Sequence, residues 1–323
     1  MGVNFESTPS TPVEALGESI QEYVLNETLF IGSKVFPILP VNNQAGVLTV
    51  HTREAMLKLH DNKRAPGGSY NKIDDGHAEV TYSCKDRGNK IYVDDSERAK
   101  YASRFDADYD AVQTVISHVL RQHEKRVADK VFNTTTFTGS DLYLDTTTVW
   151  SSATIAQVAA DVNAAAEKVL EKTGRAANAM VMSRNTFNTI AALVVGSVTL
   201  YTDPNPTIAF EAARARVSNY FGLEVIVGSE KYDTKPEGVS AGSMSNIWSN
   251  SYVNVCRIAS EGAGMKEGCL GRTAVFTLDS GTGLYVIDPS YRDNPNRSDV
   301  WTVRHTTDEV LLDANYGFLL KID

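Results

Sequence analysis

Any chemistry in this 323-residue chain would have to come from a short list of side chains. His123-Glu124 has the start of a zinc-protease helix, in which a second histidine one turn later completes the metal pair, but position 127 is Val. Asp106-Ala-Asp108-Tyr-Asp110 has the oxygen spacing that opens a calcium loop. Its sixth position is Ala111 rather than glycine and its twelfth is Ser117 rather than a bidentate glutamate, so the acids read as the start of a helix. Gly262-Ala-Gly264 meets Glu267 where a dinucleotide-binding turn needs glycine, and Gly281-Thr-Gly283 ends in Val286 and reads as a turn. There is no phosphate-cradling Gly…Gly-Lys-Ser/Thr loop and no nucleophile elbow. The histidines (His51, His60, His77, His118, His123, His305) do not cluster along the chain and read as solvated or core residues; a pair brought together from distant segments stays open. Cys84, Cys256 and Cys269 are too few and too scattered for a disulfide framework or a zinc site, and read as free thiols in a reducing compartment. No catalytic, cofactor-binding or metal-binding residue is expected.

The remaining candidates are charges suited to contact. Arg53, Glu54, Lys58, Lys63 and Arg64 crowd one stretch. The cations alone would suit phosphate, but Glu54, Asp61, Asp74 and Asp75 nearly balance them, so an ion-pair surface toward another protein is the better reading. A second set, Arg292, Asp293 and Arg297, lies in Asp288-Pro-Ser-Tyr-Arg-Asp-Asn-Pro-Asn-Arg297, which reads as a charged loop broken by proline. The chain carries 31 Lys+Arg against 40 Asp+Glu, a net charge of −9, which disfavours a cationic nucleic-acid binder. With 42% hydrophobic and 22% charged residues it has the composition of a soluble globular protein, and length gives a prior of about two domains. Residues 1–15 have no basic and apolar signal pattern, and Asn185–Thr202 is too polar for a membrane span.

These residues must be carried by elements that the patterning marks. Residues 1–13 read as a loose arm and 14–31 as a short amphipathic helix; Pro37 and Pro40 then impose an extended path. Leu48 and Val50, and again Val80, Tyr82 and Cys84, alternate with polar residues, predicting a two-stranded arm whose tip holds Pro66-Gly67-Gly68. A lone ribbon is marginal in water, so this arm needs a surface to lie on. Tyr109, Val112, Ile116, Val119, His123, Val127 and Val131 recur at three and four, predicting a helix over 106–132, ~40 Å long. A threonine-rich connector, 133–150, separates it from alternating helices and strands: a helix from Ile155 to a C-cap at Gly174, a strand at Asn178–Met182, a helix at Arg184–Val194, a loop at Asp203–Pro206, a helix from Ile208 to Gly222, and strands at Leu223–Val227, Asn246–Trp248 and Ser251–Ile258. The tail reads as strands at 275–278, 284–287, 300–304, 310–312 and 318–322.

This order of elements resembles the major capsid proteins of tailed bacteriophages, the family with the Hong Kong 97 type fold. The resemblance spans nearly the whole chain. It is carried best by Val80–Arg126, where Val80-Thr-Tyr82 leads through Asp94-Asp95-Ser-Glu97-Arg98 into the long helix; by Ile155–Asp161 through Ala179–Ser183; and by Phe221-Gly-Leu-Glu-Val-Ile-Val-Gly228 leading to Asn246-Ile-Trp248. It implies an α+β fold with an N-terminal arm (1–45), an extended β loop (46–90), a peripheral domain (91–148 and 270–323) with its spine helix at 106–132, and an axial domain (149–269) with its tip at Tyr232–Ser245. It also implies a non-catalytic subunit without cofactors. Such a subunit assembles through pentamers and hexamers into an icosahedral head around double-stranded DNA, in the bacterial host cytoplasm, and resides in the virion. Its partners would be further copies of itself, a separate scaffolding protein (too little precedes the extended loop for a fused one), a portal, a decoration protein in some relatives, and DNA held loosely, with no membrane. The extended-loop charges and loop 288–299 are the expected intersubunit contacts. The rival readings are an encapsulin-type nanocompartment shell, another phage structural protein, and a soluble α/β enzyme with an unrecognised site.

Overall fold

The computed structural model describes residues 29–51, 57–64, 66–73, 76–101, 106–195, 206–235, 242–260, 262–263, 267–277 and 283–323. The expected arm 1–13, residues 14–28 of the expected helix 14–31, Arg53, Glu54, Asp74, Asp75, the loop residues 203–205, residues 236–241 of the expected axial tip, and Gly264 and Gly281 lie outside them. In chain order the elements are α1 (Gly32–Val35), β1 (Ile38–Val41), β2 (Ala45–His51), β3 (His77–Ser83), β4 (Lys85–Asp94), α2 (Asp95–Tyr101) and the spine helix α3 (Ala107–Val131). There follow β5 (Tyr143–Asp145), α4 (Ile155–Thr173), β6 (Ala179–Ser183), α5 (Arg184–Val195), α6 (Pro206–Phe221), β7 (Glu224–Gly228), β8 (Lys231–Asp233), β9 (Met244–Asn246) and β10 (Tyr252–Cys256). The chain ends with β11 (Gly271–Phe276), β12 (Val286–Asp293), β13 (Ser298–Leu311) and β14 (Gly317–Lys321).

The spine helix starts where the acids crowd. The Asp106 carboxylate is its N-cap and accepts from the amides of Asp108 and Tyr109, so these acids cap a helix and do not form a calcium loop. Its 25 residues span ~37 Å. One stripe, Val115, Ile116, Val119 and Leu120, packs with Phe30 on Ile91 of β4 and Val303 of β13. These two strands belong to a five-stranded sheet in the order β1-β11-β13-β12, with β4 also paired to β13. The sequence reads 300–304 and 310–312 as separate strands, but they are one 14-residue strand. Its polar middle, His305 to Glu309, is ordered because both neighbours bond to it there: Thr307 pairs with Lys85 of β4 and with Val275 of β11. The expected loop 288–299 is likewise mostly strand. β12 and β13 form a hairpin from Val286↔Arg304 to Asp293↔Ser298, with an irregularity between Asp288 and Tyr291. Pro289 is tolerated because it sits at that bulge on a strand at the sheet edge, where its missing N–H leaves no ladder bond unmade. β4 and α2 have no separate counterpart in the sequence reading; β4 carries only a weak apolar alternation, at Ile91 and Val93.

The arm is the two-stranded sheet β2–β3, in register from Ala45↔Ser83 to His51↔His77. It is not unsupported along its length. Leu48, Tyr82 and Cys84 pack with Leu39, Val41, Ala274 and Val310, so the foot of the arm belongs to the subunit's own core. Gly46 permits this, since a Cβ there would stand 2.9 Å from the Tyr82 hydroxyl.

The second sheet runs β5-β14-β10-β6-β7 and is covered on both faces. Met180, Met182, Val225, Val227, Val253, Val255, Phe318 and Leu320 face α4, α5 and α6. Their alternates Ala179, Val181, Ile226 and Leu319 face the end of the spine helix and the segment 31–36. Burial on both faces explains why β6 reads as a continuous apolar run. The helices end as expected, at Gly174 (φ 67°) and Gly222 (φ 66°), both in the left-handed region that favours glycine. β14 lies in this sheet and not with the other tail strands, so a boundary at residue 270 does not follow the sheets. The candidate strand Asn246–Trp248 reduces to β9, which ends at Asn246; Trp248 follows it, fully buried.

Candidate functional site

The hairpin β12–β13 brings one group of expected contact residues to its neighbours. Arg292 donates from both terminal nitrogens to the two carboxylate oxygens of Asp95 (2.6 and 2.5 Å), and one of them also reaches Asp299 at 3.3 Å. Arg98 of α2 stands 2.7 Å from both Asp299 and Asp108, and the Trp301 indole donates to Asp108 at 3.0 Å. Asp95–Arg292–Asp299–Arg98–Asp108 is thus a ladder that ties the hairpin to α2 and the first turn of the spine helix. The Arg292 hydrogen bonds hold Asp95 below the usual carboxylate range, and Arg98, then Arg292, does the same to Asp299. Arg292 therefore has a local role that the reading of a bare charged loop does not contain. Asp293 accepts from Asn296 at 2.8 Å. Arg297 is exposed in the turn, with φ 47°, and its carbonyl accepts from the Asp95 amide.

The tip of the arm holds the other group. Lys58, Lys63 and Arg64 are all exposed. Arg64 donates to the Gly68 carbonyl (2.6 Å) and lies over the Tyr70 ring at 5.0 Å, while Asn71 donates to the Asp61 carbonyl at 2.8 Å, so the tip is shaped by its own polar contacts. Its apolar side chains are open: Leu59 is 98% exposed, Tyr70 75%, Leu57 60% and Ile73 58%. These four side chains leave much apolar surface uncovered in the subunit, with Leu57 lying beside Gly174 at the end of α4. The two groups make separate sets of contacts and do not form one site.

The structure also assembles a buried polar seam that the sequence does not announce. His123 and Arg126 of the spine helix meet Thr273 of β11 and His305, Thr307 and Glu309 of β13. Arg126 grips Glu309 through two contacts (2.9 and 3.0 Å) and stands 3.2 Å from His305 Nε2; His123 Nε2 is 3.3 Å from Thr273 Oγ1 and 3.9 Å from Glu309. Burial drives His123 down to about 4, and burial followed by the Arg126 charge takes His305 down to about 3, so both rings are neutral. For Glu309, burial opposes ionisation, but the Arg126 hydrogen bonds and the nearby positive groups outweigh it and hold the acid down to about 2. Two imidazoles, a carboxylate and a guanidinium would suit proton transfer, but His123, His305 and Glu309 are 1–2% exposed, closed off from the surface. A pair of histidines from distant segments is the alternative the spacing leaves open, and its only outward sign is His123 one turn from Val119 and Val127 on the apolar stripe. Among the described residues no group of His, Cys, Asp and Glu could hold a metal ion, and no helix is long and apolar enough to cross a membrane. A cleft of about 430 Å³ between the end of the spine helix and β8–β10 is lined by residues such as Lys125, Asp129, Phe132, Tyr232 and Tyr252, with no histidine or cysteine.

No family model matches this sequence, and no curated protein does. Solved structures match along the whole chain. A phage-related protein from Bordetella bronchiseptica RB50 is 20% identical with a TM-score of 0.65, over 92% of this chain and 93% of that one. The capsid of Cyanophage P-SCSP1u is 9% identical with a TM-score of 0.58, over 96% and 93%. A virus-like particle from Pyrococcus furiosus is 8% identical with a TM-score of 0.53, over 91% and 96%. At these identities the likeness gives the fold. The chain has the Hong Kong 97 type fold of phage capsids, α+β, as its order of elements leads one to expect.

Proposed function

We propose that this chain is a major capsid protein, a non-enzymatic subunit that assembles with copies of itself, through pentamers and hexamers, into the icosahedral head around phage double-stranded DNA. The observation that carries this is the match in both directions. This chain and that of the Cyanophage P-SCSP1u capsid each cover most of the other, so the likeness runs the length of a capsid chain and is not confined to one part of it. The surfaces agree with it. The arm ends in exposed apolar side chains among cations, a poor arrangement for an isolated monomer and a suitable one for a surface covered by a neighbour. A standard contact buries ~1,600 Å², and a shell subunit makes several, so individually weak contacts close a stable particle by symmetry.

In this reading 1–45 is the N-terminal arm and 46–90 the extended loop. The spine helix and the first sheet form the peripheral domain. Residues 149–269 form the axial domain, with β14 as a strand that the tail contributes to it. Arg53, Glu54, Lys58, Lys63 and Arg64 on the loop, with Arg297 and Asp293 at the hairpin turn, are the intersubunit contacts, and Arg292 braces that hairpin. A separate scaffolding protein, a portal at one vertex and in some phages a decoration protein are the further partners. DNA is held only loosely by an acidic wall, and the head is built in the host cytoplasm. A second reading, a shell around another cargo, is favoured by the likeness to the virus-like particle. Negative-stain electron microscopy of the protein co-expressed with its neighbouring genes tests both. Closed icosahedral particles support a shell, and their contents, DNA or protein, separate the two readings. A sharp monomer at high concentration with no particles would overturn both.

A further inference from the structure

Outside the arm, the hairpin and the seam, one buried group is bonded in a way that suits more than stability. Glu124, on the spine helix and fully buried, takes no cation. Its carboxylate accepts three N–H groups from two distant segments. Oε1 takes the Trp248 indole (2.5 Å) and the Ile31 amide (3.1 Å), while Oε2 takes the Gly32 amide alone (2.6 Å). Residues 30–36 form a strap across the spine helix, with Phe30, Ile31, Val35 and Phe36 buried. Trp248 follows β9 and stacks edge-on to Phe132 at 5.4 Å. The fit at the strap requires glycine: a Cβ on Gly32 would stand 2.8 Å from Oε2 and 3.2 Å from the His123 ring.

We propose that Glu124 is a protonation-controlled catch, which holds the strap and the Trp248 turn to the spine helix when ionised and releases the Gly32 end of the strap, but not the turn, when neutral. The asymmetry follows from the bond count. Both acceptor positions of Oε1 are taken, so the proton of the neutral acid falls on Oε2 and makes it a hydroxyl oxygen, a much poorer acceptor. The carbonyl oxygen Oε1 keeps Trp248 and Ile31, and the Gly32 N–H alone loses its strong partner. The surroundings favour a proton within reach of neutral pH. The titratable and charged groups on the elements around the carboxyl are neutral His123 on the same helix, Glu230 before β8, whose charge is shared with Arg121 at 3.5 Å, the exposed Lys34 on the strap and the buried Arg272 on β11. Burial pushes Glu124 up to about 7 against the pull of its three donors, with Glu230 adding to the rise. The strap is where the described chain begins, so the catch would set how firmly that segment is seated on the spine helix as the pH changes.

Hydrogen–deuterium exchange of the full chain, read by mass spectrometry on peptides covering 29–36 and 244–251 and corrected for the intrinsic pH dependence of exchange, tests this. In the unaltered protein the strap should exchange about tenfold faster as pH falls from 8 to 5.5, while the turn does not change. Glu124→Gln mimics the neutral acid and should show the fast strap and slow turn at every pH. Glu124→Ala should loosen both. If the Glu124 variants fail to fold, Gly32→Ala keeps the carboxylate and displaces the strap, and should abolish the pH response of peptide 29–36. A strap whose corrected exchange is the same at both pH values in the unaltered protein, or a turn that loosens together with the strap in Glu124→Gln, would overturn the proposal.

Discussion

At the scale of single residues, the seam between the spine helix and β13 has a definite acid response. His123 and His305 are neutral in the fold but take protons near 6.5 once unfolded, so the stability that depends on them is present above that pH and is lost as pH falls toward 4. Glu124 has the opposite sign: raised in the fold, it gains a proton there first and offsets one of the two histidines between about 7 and 4.5. The unfolded chain then binds a net excess of one proton, and stability should fall by about 1.4 kcal/mol per pH unit between pH 6.5 and 4.5. Below 4.5 Glu309 steepens the loss. Urea titrations at several pH values measure this. The variant His305→Gln should show a nearly flat profile over that interval, and an unchanged slope would mean that the His305 ring is not held neutral. Glu309→Gln removes the partner of Arg126 and should cost about 2–4 kcal/mol, toward the lower end for a broken buried pair because Arg126 keeps 22% of its side-chain exposure.

At the scale of elements, the arm divides at its foot. Leu48, Tyr82 and Cys84 are core residues, whereas the described residues 57–64 and 66–73 between the strands are exposed. His51 and His77 are paired in register, so deleting 53–76 and closing the strands with a Gly-containing turn leaves the foot intact. The shortened subunit should remain folded, with a stability change no larger than ~2 kcal/mol from the shorter loop. It should fail to form normal shells, as scored by sedimentation and negative-stain images. An unfolded product would place the tip in the intrachain core, and normal shells would make it dispensable. The hairpin divides in the same manner. Arg292 belongs to the ladder with Asp95 and Asp299, so Arg292→Glu should lower the melting temperature of the subunit. Arg297 sits in the exposed turn, so Arg297→Glu should leave melting unchanged and reduce particle yield. Normal yield from Arg297→Glu would remove that turn from the list of contacts.

At the scale of the whole molecule, the order of elements carried the fold because it depends on local signals. The spine helix shows in its apolar spacing from Val112 to Val131, the arm in the alternation around Leu48 and Val80, and the helix ends at Gly174 and Gly222 in the need for a left-handed residue. Each of these is written within one or two turns of chain, and each is where the sequence placed it. What required the tertiary structure depends on partners far along the chain. The stretch from His305 to Glu309 is too polar to read as strand and becomes one only because β4 and β11 bond to it there. Pro289 reads as a breaker until the edge position and bulge of β12 are known. Glu124 looks like half of a zinc motif until Ile31, Gly32 and Trp248, more than 90 residues away on either side, converge on its oxygens. A buried polar group is stable only with its donors in place, and those donors are assigned by packing, which no local pattern encodes.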